Sequence, residues 1–203
     1  TYTQMLNEKG GIECDLTVSR IGEDHFYLVT GTAFIKHDLT WINRHLPRDP
    51  SVFITDVTSA KACMTLRGPQ ARNILRQLTK EDILNETFPY MTCKQITLGY
   101  APVLAIRITY VGELGWELHM PVESAHVVYD ALWESGKSYG LVNAGYRCID
   151  SLRLEKGYRY WSGDISPEHT PYEAGIDFCV KLDKGNFIGS EALLKQKEAG
   201  VAR

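Results

Sequence analysis

The chain is expected to fold as an α+β protein of mixed antiparallel sheets with packed helices. Three observations lead there. Short β-rich runs alternate with stretches of helical period along nearly the whole length. The N-terminal residues read as a glycine-turned hairpin. The 203 residues, 44% apolar and 23% charged, suit one compact domain or two small lobes.

The elements follow in order. Tyr2-Thr3-Gln4-Met5-Leu6 reads as a strand, Asn7-Glu8-Lys9-Gly10-Gly11 as a glycine-bearing turn, and Ile12 to Val18 as the returning strand. Strand alternation puts Thr17 on the face of Asp15 and Cys14 on the opposite one. His25 to Thr30 is β-rich. After Thr32 the apolar residues Phe34, Ile35, Leu39, Ile42 and Leu46 recur at helical spacing, and Pro47 and Pro50 end that helix. Ser51 to Val57 and Ala62 to Leu66 read as short strands. Arg67-Gly68-Pro69 is a strand-to-helix turn, with proline opening a helix that runs to about Leu78. Lys94 to Gly99, Val103 to Tyr110 and Gly115 to Met120 read as strands. Ser124 to Gly140 is an amphipathic helix whose buried stripe is Ala125, Val128, Leu132 and Trp133. Tyr146 to Lys156 is a further helix stopped by Gly157. Asp164 to Thr170 is the most loop-like segment.

Composition excludes several classes of function. A net charge of -3 gives no general attraction to nucleic acid. No run approaches the eighteen or so apolar residues of a membrane span, and the N-terminus shows no signal region. A soluble, intracellular protein is expected: cytoplasmic, or in the mitochondrial matrix if the source is eukaryotic. The five cysteines (Cys14, Cys63, Cys93, Cys148, Cys179) are scattered, odd in number and without a Cys-x-x-Cys pair. They are expected to be reduced core residues, and Cys14 has no activating base near it in sequence. The six histidines show no metal spacing, so no metal site is expected. A Gly-x-Gly-x-x-Gly phosphate cradle is absent, so any flavin would bind a separate segment.

The hairpin is the first candidate site. It can hold an aromatic ring (Tyr2) near a carboxylate (Asp15), and a flat nitrogen-rich ligand needs an apolar wall and a few placed polar groups. An aspartate after a Gly-Gly turn is more often a turn or edge residue bonding nearby amides. Glu117 has two readings as well, a ligand contact or a solvent-facing strand residue opposite in direction to Trp116 and Leu118. Its neighbour His119 shares its face.

Five segments together carry a resemblance. They are the hairpin strand Gly10-Gly11-Ile12-Glu13-Cys14-Asp15-Leu16-Thr17-Val18, then Arg67-Gly68-Pro69-Gln70-Ala71, Tyr110-Val111-Gly112-Glu113-Leu114-Gly115-Trp116-Glu117-Leu118, Asp150-Ser151-Leu152-Arg153-Leu154-Glu155-Lys156-Gly157, and Tyr172-Glu173-Ala174-Gly175. In that order, from Tyr2 to about Leu194, the chain resembles the aminomethyltransferase family with its glycine-cleavage T-protein-like folate-binding fold. It is most similar to the branch fused to sarcosine and dimethylglycine dehydrogenases.

The resemblance implies tetrahydrofolate as cofactor and transfer of a one-carbon unit from an amine onto it. FAD would lie on a fused or associated dehydrogenase domain. By resemblance Asp15 matches the family's catalytic aspartate at the folate nitrogens, and Glu117 the glutamate that bonds the pterin edge. Tyr2, Tyr90 and Tyr110 match aromatic or apolar folate-contacting positions, and Thr17 would line the same pocket. Where glycine-cleavage members carry an arginine before the Asp of the fourth segment, this chain has Ile149. That favours the dehydrogenase-fused branch over a glycine-cleavage-type aminomethyltransferase; a non-catalytic regulatory or scaffold module is the third reading. Family members extend further on both sides, so the chain is expected to be an incomplete portion. Residues 1–57 would be the later part of a β-rich folate-contacting lobe, 58–165 an α/β lobe, and 166–203 a connection toward a C-terminal barrel.

Overall fold

A computed structural model of the chain describes residues 1–201. They form two compact units: residues 1–54 with 159–201, and residues 55–158. Two antiparallel sheets carry them, as the α+β reading expects.

The first unit is built on a three-stranded meander, β1 (Tyr2–Leu6), β2 (Ile12–Arg20) and β3 (Phe26–Thr30). In the hairpin Tyr2 lies opposite Thr17 and Gln4 opposite Asp15. Asn7 folds the turn: its side-chain oxygen accepts from the amides of Lys9 at 3.0 Å and Gly11 at 2.9 Å. Gly10 takes φ +85°, and a Cβ on Gly11 would collide with the Pro167 carbonyl, so both glycines are required. The Ile12 amide donates to the His169 carbonyl at 3.0 Å, and the Trp161 indole donates to the Ile12 carbonyl at 2.8 Å. Residues late in the chain therefore close the hairpin. Ile12, Leu6, Ile165 and Leu193 form the core of this unit. Helix α1 (Ile35–Arg44) follows a single 3₁₀ turn at Thr32–Phe34.

The second unit holds β4 (Lys61–Arg67), the short helix α2 (Ala71–Leu75), β5 (Cys93–Leu98), β6 (Ala101–Ile106) and β7 (Gly115–Pro121). The strand order is β4-β7-β6-β5. Helix α3 (Ala125–Gly136) buries Val128 and Leu132 against this sheet's core, and α4 (Cys148–Glu155) stops at Gly157 with φ +67°. Trp116 is fully buried, with the Arg72 and Arg107 guanidinium groups over its ring at 5.6 and 5.9 Å. In the first unit a last helix, α5 (Ser190–Ala199), places Leu193 in its core.

Four expectations need correction. Residues 51–57 form no strand: they are mostly exposed, and Asp49 and Asp56 spend their carboxylates on turns at Ser51 and Thr58. The proline-opened helix is realised only as α2. Strand β6 stops at Ile106, and just beyond it the Ile108 amide bonds back to the Ile106 carbonyl at 3.0 Å. Of the cysteines only Cys14 is buried; Cys63 is exposed and the other three are half-buried.

Candidate functional site

In the first unit β1 and β2 bring Tyr2, Gln4 and Asp15 together. The Gln4 amide donates to Asp15 Oδ1 at 3.3 Å, and the Tyr2 hydroxyl also bonds the carboxylate. Burial raises the Asp15 carboxyl above its usual range, and the charge of Asp38 adds to the rise; the bonds from Tyr2 and Gln4 oppose it without cancelling it. Burial and the neighbouring Asp15 push the Tyr2 hydroxyl far upward, so it remains a protonated donor. Among the described residues no lysine or arginine forms an ion pair with Asp15. Such a carboxylate can attract a cation or exchange a proton. Thr17 lies directly across from Tyr2, half-buried, and the Tyr2 ring stacks on Phe178 at 6.2 Å.

Glu117 belongs to the second unit, on β7, so Asp15 and Glu117 are carried by different units. Trp116 and Leu118 on either side of it are fully buried, which sends Glu117 to the opposite face with 19% of its side chain exposed. One carboxylate oxygen meets Arg67 Nη2 at 3.3 Å, and the other lies 3.4 Å from His119 Nε2. Arg67 also donates to the Ile108 carbonyl at 2.6 Å, and its own burial lowers its proton affinity. His119 lies opposite Cys63 on β4, with Nε2 3.7 Å from Sγ. Crowding and the Glu117 charge push the Cys63 thiol up to about 12, though its edge remains open to solvent. It is a thiol at neutral pH and not a nucleophile.

Tyr110 stacks on Tyr158 at 6.1 Å with the rings nearly parallel, and Tyr90 is about half exposed. Burial and Tyr158 raise the Tyr90 hydroxyl, while Arg67 opposes the rise. Arg67, Glu117 and His119 therefore share one face of the four-stranded sheet. Sequence reading assigned Arg67 to a turn and so missed it. The antiparallel register that sets Thr65 against Glu117 and Cys63 against His119 is the signal that finds it, since alternation then returns Arg67 to the same face. Arg153, in the fourth segment of the resemblance, is buried, bonds Asp150 at 3.1 Å and caps the Tyr158 carbonyl, as a packing residue would.

The described residues contain no helix long and apolar enough to cross a membrane. The family model for the GCVT N-terminal domain matches residues 1–184. Mouse mitochondrial sarcosine dehydrogenase is 42% identical over 217 residues, covering 100% of this chain and 24% of that protein. The mouse mitochondrial pyruvate dehydrogenase phosphatase regulatory subunit is 38% identical over 202 residues, covering 98% of the chain and 23% of that protein. The crystal structure of the glycine cleavage system aminomethyltransferase T from Bartonella henselae superposes with a TM-score of 0.81 at 26% identity. It covers 98% of this chain and 53% of that one. The chain thus spans about a quarter of the length of the first two relatives and half of the third.

Proposed function

The chain belongs to the GCVT N-terminal domain family of aminomethyltransferase-type folate-binding domains, related to the sarcosine and dimethylglycine dehydrogenases, and we propose that it is the tetrahydrofolate-dependent one-carbon-transfer part of a flavin-dependent N-methylamine dehydrogenase. The observation that carries this reading is Asp15, a carboxylate raised by burial, paired with no basic side chain among the described residues and held by Tyr2 and Gln4. Bound there, tetrahydrofolate would supply the nitrogen nucleophile that takes up the carbon.

The residues fit that role. Asp15 would accept a hydrogen bond from a ring N–H, stabilise the cationic carbon arriving from the amine, and take up and return a proton. Tyr2 and Thr17 would flank it. In the second unit Glu117 would bond a pterin edge, with Arg67 and His119 fixing its orientation. Tyr90 and Tyr110 would supply ring surface. FAD would be held by a fused dehydrogenase domain outside this chain, and residues 166–203 would lead toward a C-terminal barrel. A mitochondrial matrix location is proposed from the two mitochondrial relatives.

The test is calorimetric titration of tetrahydrofolate into this chain, into a full-length protein that contains it, and into their Asp15→Ala and Glu117→Ala variants. Micromolar binding, about 8 kcal/mol, is expected to weaken at least tenfold in either variant. Full-length binding that is indifferent to both substitutions would overturn the site. A second reading, a regulatory module without turnover, is favoured by the phosphatase regulatory subunit relative. Tight folate binding with no carbon transfer during amine oxidation would select it.

A further inference from the structure

We propose that the first unit carries a binding site for a thiophilic divalent cation, zinc by its chemistry, on Cys14, His37 and Asp38. The three donor atoms, a thiol sulfur, a ring nitrogen and a carboxylate oxygen, all lie within 4.8 Å of one another. Tetrahedral zinc, with bonds of about 2.0–2.3 Å, spaces its ligands roughly 3.3–3.8 Å apart, so closure needs about an ångström of movement. Cys14 comes from the middle of β2, while His37 and Asp38 come from the start of α1.

A second observation, independent of that spacing, points to a cation. Asp38 is 3% exposed, and its partners are the Thr30 hydroxyl, His37 Nδ1 at 2.9 Å and the Cys14 thiol. Among the described residues no lysine or arginine pairs with it or with Glu13, whose carboxylate lies 3.7 Å from His37 Nε2. Glu13 and Asp38 therefore bracket His37, and the nearby Asp15 adds a third negative charge. A divalent ion would offset the desolvation of this buried carboxylate.

The surroundings already orient the donors. Thr30 holds Asp38, the Asn7 amide donates to Glu13 at 3.0 Å, and the His37 ring packs on Trp161 at 5.0 Å. Metal-ligating groups depend on outer partners of this kind. One sulfur, one nitrogen and one oxygen donor favour zinc or cobalt over magnesium or calcium, which take oxygen alone. Glu13 or a water would complete four-coordination. Binding breaks the Cys14 S–H bond, forms a metal–sulfur bond and releases the proton to solvent, with no change of oxidation state.

A second donor set, Cys63, Glu117 and His119, is weaker, because Arg67 already supplies Glu117 with a cation at 3.3 Å. On β2 Cys14 projects to the sheet face opposite Asp15, although the Asp38 charge reaches Asp15.

The test is cobalt(II) titration of the metal-stripped chain, followed by displacement with zinc. The expected result is one equivalent of cobalt per chain, with a thiolate-to-metal charge-transfer band that zinc abolishes. Cys14→Ser should remove the band, and Asp38→Asn and His37→Ala should each weaken binding tenfold or more. Because 41% of the His37 side chain is exposed, His37→Ala tests the site without disturbing the core, and circular dichroism checks its fold. Cys63→Ser should leave everything unchanged. Absence of a thiolate band in the parent chain, or a band lost in Cys63→Ser and kept in Cys14→Ser, overturns the proposal.

Discussion

Gly11→Ala probes the hairpin that carries Asp15. The added methyl would overlap the Pro167 carbonyl oxygen and stand 2.9 Å from its carbon and 2.8 Å from Asn7 Nδ2. Real Cβ atoms essentially never come within 3.0 Å of such neighbours. Two of the three clashing atoms are backbone, so a side-chain rotation cannot relieve them. Relief requires Gly11 or Pro167 to retreat, which strains the Gly11 amide bond to Asn7 at 2.9 Å and the Ile12 amide bond to His169 at 3.0 Å. Each is worth about 1 kcal/mol net. Displacing the fully buried Ile12 adds an overpacking cost of about 1–3 kcal/mol. The unfolded chain loses freedom when Ala replaces Gly, which offsets about 0.4–1 kcal/mol. The net expectation is a destabilisation of about 2–4 kcal/mol. Urea unfolding should show it as a midpoint about 1–2 M lower at unchanged slope. The companion Gly145→Ala meets nothing within 4 Å and should be neutral or slightly stabilising. A Gly11→Ala midpoint within experimental error of the Gly145→Ala midpoint would refute the steric reasoning.

Two other substitutions test the charges. Asp15 has a folded-state pKa above its ordinary value of 3.8, so its ionised form costs stability at neutral pH. That cost fades as pH falls through the folded value toward the unfolded one. Asp15→Asn should therefore stabilise the chain at pH 7–8 and lose that advantage near pH 4; a gain constant across urea midpoints at each pH would contradict the assignment. Arg67→Met removes the bond to the Ile108 carbonyl and strands Glu117, and should cost about 1–3 kcal/mol, less than for a fully buried pair. Adding Glu117→Gln should then cost less than it does in the parent chain, and strict additivity in that cycle would show that the pair is uncoupled.

The hairpin was legible because two glycines, a returning β-branched strand and alternation all specify the same turn. The strands β4, β5 and β7 and the helices α1, α3 and α4 were legible from periodicity within four residues of their ends. Residues 51–57 misled because β-branched composition says nothing about whether a partner strand exists, and none pairs there. The end of β6 was hidden because the tight turn in which the Ile108 amide bonds back to the Ile106 carbonyl carries no glycine or proline. Site chemistry followed the same division. Tyr2 and Asp15 meet across one tight turn, so the sequence could place them, while Gln4, which bonds Asp15, was missed. Arg67 and Glu117 meet across fifty residues, and Cys14 meets His37 and Asp38 only through the seating of α1 on the sheet. No local spacing rule encodes either encounter.

The indole bond from Trp161 to the Ile12 carbonyl spans 149 positions. During synthesis at about 5–20 residues per second, the hairpin leaves the ribosome roughly 7–30 seconds before its closing donor is made. Residues 55–158 are one unbroken stretch and can complete their sheet in that interval. The strand bearing Asp15 must instead wait with its inner face uncovered until those late residues are made. Vectorial translation thus makes the unit holding the proposed catalytic carboxylate the last part of the chain to mature.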